Sequence, residues 1–296
     1  MLSKRKLPIK KNILIIGGNG FVGKYLCEVL KKKYNLYKIS RSVKFDSFKC
    51  DITNYKKLNF LLSKLNIDFK FVINLSGQIE NNKKKLEKNI IKGNLNLIKY
   101  FNSTNTKIIF LSSALVYKSS KNLQSEKTKP IPSTFYGRLK LKAEKLYKKN
   151  SKNFLIIRSG NIYDDYLIKK GFLKNIHDSI FKDKKLIINN ASSNRPYIHI
   201  LDFCNLFFKV INIPAKINKI TINFCSENYT NQDVINLYEK VLNTKIILIN
   251  LKLDNKRDPN IKLKTVISQK FFAYRNEHKL KNTLIKKFRN YEIKKI

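Results

Sequence analysis

The chain has 296 residues with 62 Lys and Arg against 20 Asp and Glu, a formal net charge of +42, and its hydrophobic content of 43 % suffices for a sizeable core in one large or two intimate domains. No apolar run approaches the roughly 18 residues of a membrane span, and residues 1–11 lack the apolar centre of a secretion signal, so a cytoplasmic address without membrane insertion is expected. The charge would draw in any polyanion at low salt, but lysine is spread over helices, loops and tail alike and no element interleaves it with stacking aromatics, which argues against a specific nucleic-acid partner.

Asn12–Ile16 is a short apolar run suited to a strand buried on both faces, and Phe21–Lys33 carries helical spacing. Between them lies Gly17-Gly-Asn-Gly-Phe-Val-Gly23. Gly17 permits a tight turn, Gly20 lets backbone approach a pyrophosphate at the positive helix end, and Gly23 allows close packing of helix on strand. The next strand, Leu36–Ile39, ends at Ser40-Arg41-Ser42, where a NAD-binding protein usually carries an acidic residue for the ribose 2′-hydroxyl. Arg41 suits a 2′-phosphate instead, which favours NADP over NAD.

Further strands near Phe71, Ile108 and Leu155 alternate with helices, predicting an α/β fold: a Rossmann-type, doubly wound parallel sheet with its ligand at the carboxyl ends of the strands. Residues 134–149 read as a helix, whose i and i+4 positions place the phenol of Tyr136 and the ammonium of Lys140 on one face. A neighbouring cation stabilises a phenolate, so Lys140 is expected to lower the phenol pKa of Tyr136 from about 10 toward the range of an acid/base catalyst near neutral pH. The same spacing at Tyr34 and Lys38 is read as chance in so lysine-rich a chain. Past Asn161 the pattern is mixed: helix 171–181, strand 186–188, helix 202–211, strand 220–224, helix 231–241, strand 245–251 and a basic tail helix. Cys27, Cys50, Cys204 and Cys225 are far apart, as are His177, His199 and His278, so no metal site is expected. The cysteines read as reduced core residues, and His199, inside an apolar run, as a hydrogen-bonded structural residue.

In this order the motifs resemble those of the extended short-chain dehydrogenases/reductases, also called the NAD-dependent epimerase/dehydratase family, over nearly the whole chain. Gly17–Gly23, with Phe21 and Val22, looks like the cofactor turn. Cys50-Asp51-Ile52-Thr53 is similar to the element that touches adenine, and Val72–Gly77, with Leu75, to the strand beneath the nicotinamide ribose. Phe110–Tyr117 looks like the serine motif, which makes Ser113 the catalytic hydroxyl, and Tyr136 and Lys140 match the catalytic pair. Ile157–Tyr163, with Asn161, resembles the strand and loop leading into the substrate site, and Arg195–Asp202 the family's Arg-Asp-Phe-Ile-His-Val-x-Asp element. Lys118 and Asp164-Asp165 depart from the usual loop residues. Ile90 stands where the family has an asparagine three residues before a glycine, with Asn89 one step off.

The resemblance implies a Rossmann domain over 10–163, with 197–226 returning to it, and a smaller, discontinuous substrate domain of 164–196 and 227–296. It implies hydride transfer at C4 of a nucleotide-linked sugar with NADP, or NAD, as cofactor. Tyr136 would move the proton, Ser113 would bond the same oxygen and Lys140 would hold the nicotinamide ribose. Arg195 and Arg257 would clamp the diphosphate of the nucleotide-sugar partner. The family's 4,6-dehydratases carry Asp-Glu after the catalytic hydroxyl, where this chain has Ala114 and Leu115, so a 4-epimerase or 4-ketoreductase is expected. A homodimer is compatible with the resemblance. The alternative is a basic RNA-binding Rossmann protein with vestigial catalytic residues.

Overall fold

A computed structural model describes residues 10–42, 46–77, 81–166, 171–182, 185–214, 217–251 and 259–289. Through residue 113, strands β1 (Lys11–Ile16), β2 (Tyr34–Ser40), β3 (Phe48–Lys49), β4 (Phe71–Asn74) and β5 (Lys107–Ser113) alternate with helices α1 (Phe21–Leu30), α2 (Tyr55–Leu65), α3 (Lys83–Glu87) and α4 (Gly93–Phe101). After a 3-10 turn at Ala114–Val116 come β6 (Leu123–Gln124), α5 (Phe135–Asn150), β7 (Phe154–Ser159), β8 (Asn161–Tyr163), α6 (Phe172–Phe181), β9 (Leu186–Ile188), β10 (Asn194–His199) and α7 (Ile200–Ile211). The chain continues through β11 (Ile220–Phe224), β12 (Glu227–Thr230), α8 (Asn231–Leu242), β13 (Leu248–Asn250), β14 (Lys262–Leu263), α9 (Val266–Phe272) and α10 (Leu280–Phe288).

The largest sheet runs β11-β7-β5-β4-β1-β2-β3. Within it β1 pairs in parallel with β2 and β4, β4 with β5, and β2 with β3. This is the expected doubly wound α/β sheet, with its order reversing on either side of β1, where ligands of such sheets bind. Ile13–Ile16 and Phe71–Asn74 are buried at every position, and the apolar residues Ile13–Ile16 and Phe71–Ile73 suit strands covered on both faces.

The chain forms two compact units: Met1–Leu111, Lys145–Leu155 and Lys216–Ile220 in one, Ser112–Glu144, Ile156–Ala215 and Thr221–Ile296 in the other. The second unit holds the small sheets β12-β10-β8, β13-β9 and β14-β6. Its core gathers Tyr163, Leu173, Ile176, Tyr197, Tyr238 and Leu284. α8 begins with a capping box between Thr230 and Asp233, which satisfies backbone donors at both residues. Among the described residues no helix is long and apolar enough to cross a membrane.

Candidate active site

In the first unit the glycine turn leads from β1 into α1. Gly17 takes φ +81°, and a Cβ on Gly23 would meet the Gly17 carbonyl oxygen at 2.5 Å and Gly18 Cα at 2.6 Å. Gly23 therefore lets α1 pack on the turn itself rather than on the strand. Gly20 caps α1 without a side-chain hydrogen bond, so the positive end of the helix is left for another anion. A cavity of about 330 Å³ opens there, walled by Gly17, Gly20, Arg41, Asp51, Ile52 and Leu75 among others. Phe21 and Val22 open α1 and are not part of its wall. Asp51 is held by its own turn, its Oδ1 accepting the Thr53 N–H at 2.9 Å.

Tyr34 and Lys38, the chance pair, lie on a strand, where positions four apart do not form a helical face. Lys38 runs beneath Gly18 and forms an ion pair with Asp46. That hydrogen bond holds the Asp46 carboxyl below its ordinary pKa. Asp46 is an acidic residue beyond β2 that the sequence reading did not single out.

Asn89 also lines the cavity. Residues Lys88–Lys92 form a π turn, with the Gly93 N–H reaching back to the Lys88 carbonyl five residues earlier. The wider turn absorbs one extra residue, which is how an asparagine one step off in sequence reaches the wall. Behind it, Asn94 Oδ1 accepts from Asn74 Nδ2 at 2.8 Å and from the Tyr147 hydroxyl, while Asn74 Oδ1 accepts from Ser76 Oγ at 2.6 Å and Ser76 N–H at 3.0 Å. This buried chain shapes the Ser76 side of the cavity.

In the second unit, Ser113 ends β5 and caps the 3-10 turn, its Oγ accepting from the Leu115 N–H at 3.2 Å. A Cβ on Gly137 would stand 2.0 Å from the Leu115 carbonyl oxygen, so the first turn of α5 presses directly on the turn after Ser113. Tyr136 and Lys140 sit on that helix with Lys140 Nζ 5.5 Å from the Tyr136 ring centroid. Lys140 is only 2 % exposed. Burial pushes its ammonium down to about 7, against the attraction of Glu144. The expectation for Tyr136 is corrected: burial, which strips away the hydration a phenolate needs, pushes its phenol up.

Asn161 is exposed, with Nδ2 donating to the Pro196 carbonyl at 3.1 Å. Arg195 lies over the Phe172 ring, 5.1 Å from Cζ to the centroid, and its Nε donates to Asn231 Oδ1 at 2.7 Å. Arg257 lies outside the described residues. His199 is 1 % exposed, its Nε2 3.2 Å from Asp165 Oδ1 and its ring stacked on His278, consistent with a structural role. All four cysteines are buried and none forms a disulfide.

Two curated relatives are recognisable in sequence. A dTDP-D-glucose 4,6-dehydratase of Dictyostelium discoideum is 26 % identical over 70 % of this chain, which spans only 56 % of that relative. A GDP-6-deoxy-D-talose 4-dehydrogenase of Aggregatibacter actinomycetemcomitans is 25 % identical over 72 % of this chain and 74 % of its own length. Among solved structures, a UDP-glucuronic acid 4-epimerase variant of Bacillus cereus superposes with a TM-score of 0.79 at 22 % identity, over 94 % of this chain and 98 % of the other, a likeness of fold. Residues 13–225 match the model of the NAD dependent epimerase/dehydratase family, and the chain belongs to that family.

Proposed function

We propose that the protein is an NAD(P)-dependent enzyme that transfers hydride at C4 of a nucleotide-linked sugar, as a 4-epimerase or 4-ketoreductase, with NADP as the preferred cofactor. The observation that carries this reading is the Tyr136–Lys140 pair on α5, one member fully buried, beside the turn that follows Ser113. The cavity at the end of β1 fits the adenosine end of a dinucleotide: a helix N-terminus without a side-chain cap, an apolar wall at Ile52 for a flat base, and Arg41 for a 2′-phosphate. When bound, the nicotinamide supplies the hydride donor or acceptor.

Tyr136 gives or takes the hydroxyl proton, and Ser113 bonds the same oxygen. Lys140, beside the Tyr136 ring, would hold the nicotinamide ribose. Arg195, oriented by Asn231 and Phe172, clamps the diphosphate, and Arg257 joins it by resemblance alone. Residues 164–196 and 227–296 form the substrate domain. Ala114 and Leu115 cannot exchange protons, where the resemblance implies Asp-Glu for a 4,6-dehydratase, and this supports hydride transfer at C4 without loss of water. The test is a panel of nucleotide sugars followed by absorbance of the reduced cofactor and by product analysis. A 4-epimer or a C4 alcohol or ketone is expected, and loss of water from the sugar overturns the reading.

A further inference from the structure

The one fully buried carboxylate on α5 lies four residues after Lys140. Glu144 is 0 % exposed and meets Arg158 of β7, itself 2 % exposed, through two hydrogen bonds: Nε to Oε1 at 3.0 Å and Nη2 to Oε2 at 2.6 Å. Ser112 Oγ, on the residue before Ser113, donates to the same Oε1 at 2.6 Å. Arg158 Nη1 donates to the Tyr117 hydroxyl at 2.9 Å, and that hydroxyl donates to Asn223 Oδ1 of β11 at 2.8 Å. The network therefore ties α5 to both ends of the segment that carries Ser113, and to the two strands beyond it.

We propose that Glu144 is a positioning residue for the Tyr136–Lys140 pair: its carboxylate, fixed by Ser112 and Arg158 one helical turn from Lys140, holds the reactive face of α5 against the strand end that bears Ser113. The inference rests on the catalytic reading given above. A buried ion pair is a poor source of net stability, because desolvation offsets the attraction, so its placement here is better explained by orientation and charge than by folding energy. Two buried cations, Lys140 and Arg158, share one carboxylate. Burial opposes the charge on Arg158 and Glu144 outweighs it, holding that guanidinium above its ordinary pKa. For Lys140 burial wins and Glu144 limits the fall, to about 7. Tyr136 and Glu144 face Lys140 from its own helix, and Arg158 and Tyr117 are joined to it through Glu144.

A structural brace and a charge-positioning residue differ in one respect. If Glu144 only braces the helix, loss of either partner weakens the protein in the same way. If it sets the charge at Lys140, the two losses move Lys140 in opposite directions.

The experiment follows lysine side chains labelled with carbon-13 at Cε by NMR across pH, with Lys140→Met assigning the resonance that titrates near neutral pH. Glu144→Gln is expected to lower that midpoint by roughly one to three pH units, the usual effect of one close opposite charge. Arg158→Met is expected to raise it, and Glu144→Asp to return it close to the starting value. Since removing one member of a buried ion pair destabilises strongly, circular dichroism accompanies each variant, and any variant that keeps its fold decides the question by the sign of its shift. A midpoint unmoved by both Glu144→Gln and Arg158→Met, or moved the same way by both, overturns the proposal. Turnover of Tyr136→Phe separates this from the reading beneath it. If that variant keeps near-normal turnover, the catalytic assignment fails whatever Lys140 does. If it loses turnover while the lysine midpoint stays fixed, only the role of Glu144 fails.

Discussion

The carbonyl oxygen of Leu115 occupies the space a side chain on Gly137 would need, 2.0 Å from an ideal Cβ, so the helix that carries Tyr136 and Lys140 lies this close to the turn after Ser113 only with glycine there. In an exposed helix interior, replacing Gly with Ala gains up to about 1 kcal/mol. Here the methyl group meets backbone, which cannot swing aside as a flexible side chain can. Gly137→Ala is expected to lower the melting temperature, with an overpacking cost of about 1–3 kcal/mol outweighing the helical gain, and to cut turnover as Tyr136 shifts. Thermal unfolding monitored by circular dichroism checks the sign, and an unchanged or raised melting temperature contradicts the close contact.

Tyr136→Phe keeps the ring and removes the ionisable oxygen. Fold and cofactor affinity are expected to survive while kcat falls roughly 10²–10⁴-fold, the usual contribution of general acid–base catalysis. The control is Tyr34→Phe with Lys38→Met, whose spacing is the same on a strand. Steady-state kinetics on a confirmed substrate compare the two.

Arg41 lies on the cavity wall between Ser40 and Ser42. Arg41→Ala is expected to weaken NADPH binding by tenfold or more, the size of a charge-assisted contact of about 1.5–3 kcal/mol, and to leave NADH nearly unchanged. Calorimetric titration with both cofactors decides it, since equal losses would mean that no 2′-phosphate is read there.

Asn89 depends on the π turn for its place on the wall. Asn89→Ala is expected to weaken cofactor binding roughly three- to tenfold, the loss of one ordinary hydrogen bond. Deleting Ile91 restores α-helical register and swings Asn89 by about 100° around the helix axis. The same loss is expected from the deletion, measured by quenching of protein fluorescence on cofactor titration. Full affinity in the deletion variant would show that the turn has no such role.

His199 ties pH to stability. Burial, then His278, push its imidazole below the ordinary 6.5, with Asp165 opposing. As pH falls through 6.5 the unfolded chain takes up the proton first, so the contribution of neutral His199 is full above that pH and is lost progressively below it. The melting temperature of the protein is expected to fall between about pH 7 and pH 5, and that of His199→Phe to fall less over the same range. Parallel curves for the two proteins would assign the acid sensitivity to other groups.

What the sequence by itself determined is written in neighbouring residues. Strands covered on both faces read as near-continuous apolar runs, so Ile13–Ile16 and Phe71–Ile73 stand out. Leu186–Ile188 and Ile220–Phe224 begin and end where their patterns place them. The glycine turn and the i, i+4 spacing of Tyr136 and Lys140 are local too. Other features were decided only when distant segments met. The pairing of Lys262–Leu263 with Leu123–Gln124 joins two-residue strands too short to carry any period. Asn89 counts as misplaced in sequence and reaches the cavity because a π turn widens the helix. The closeness of Leu115 to Gly137 has no signature in either segment. The direction of the Tyr136 pKa is likewise tertiary: sequence shows the cation beside the phenol, but the water lost on burial depends on what packs around the ring.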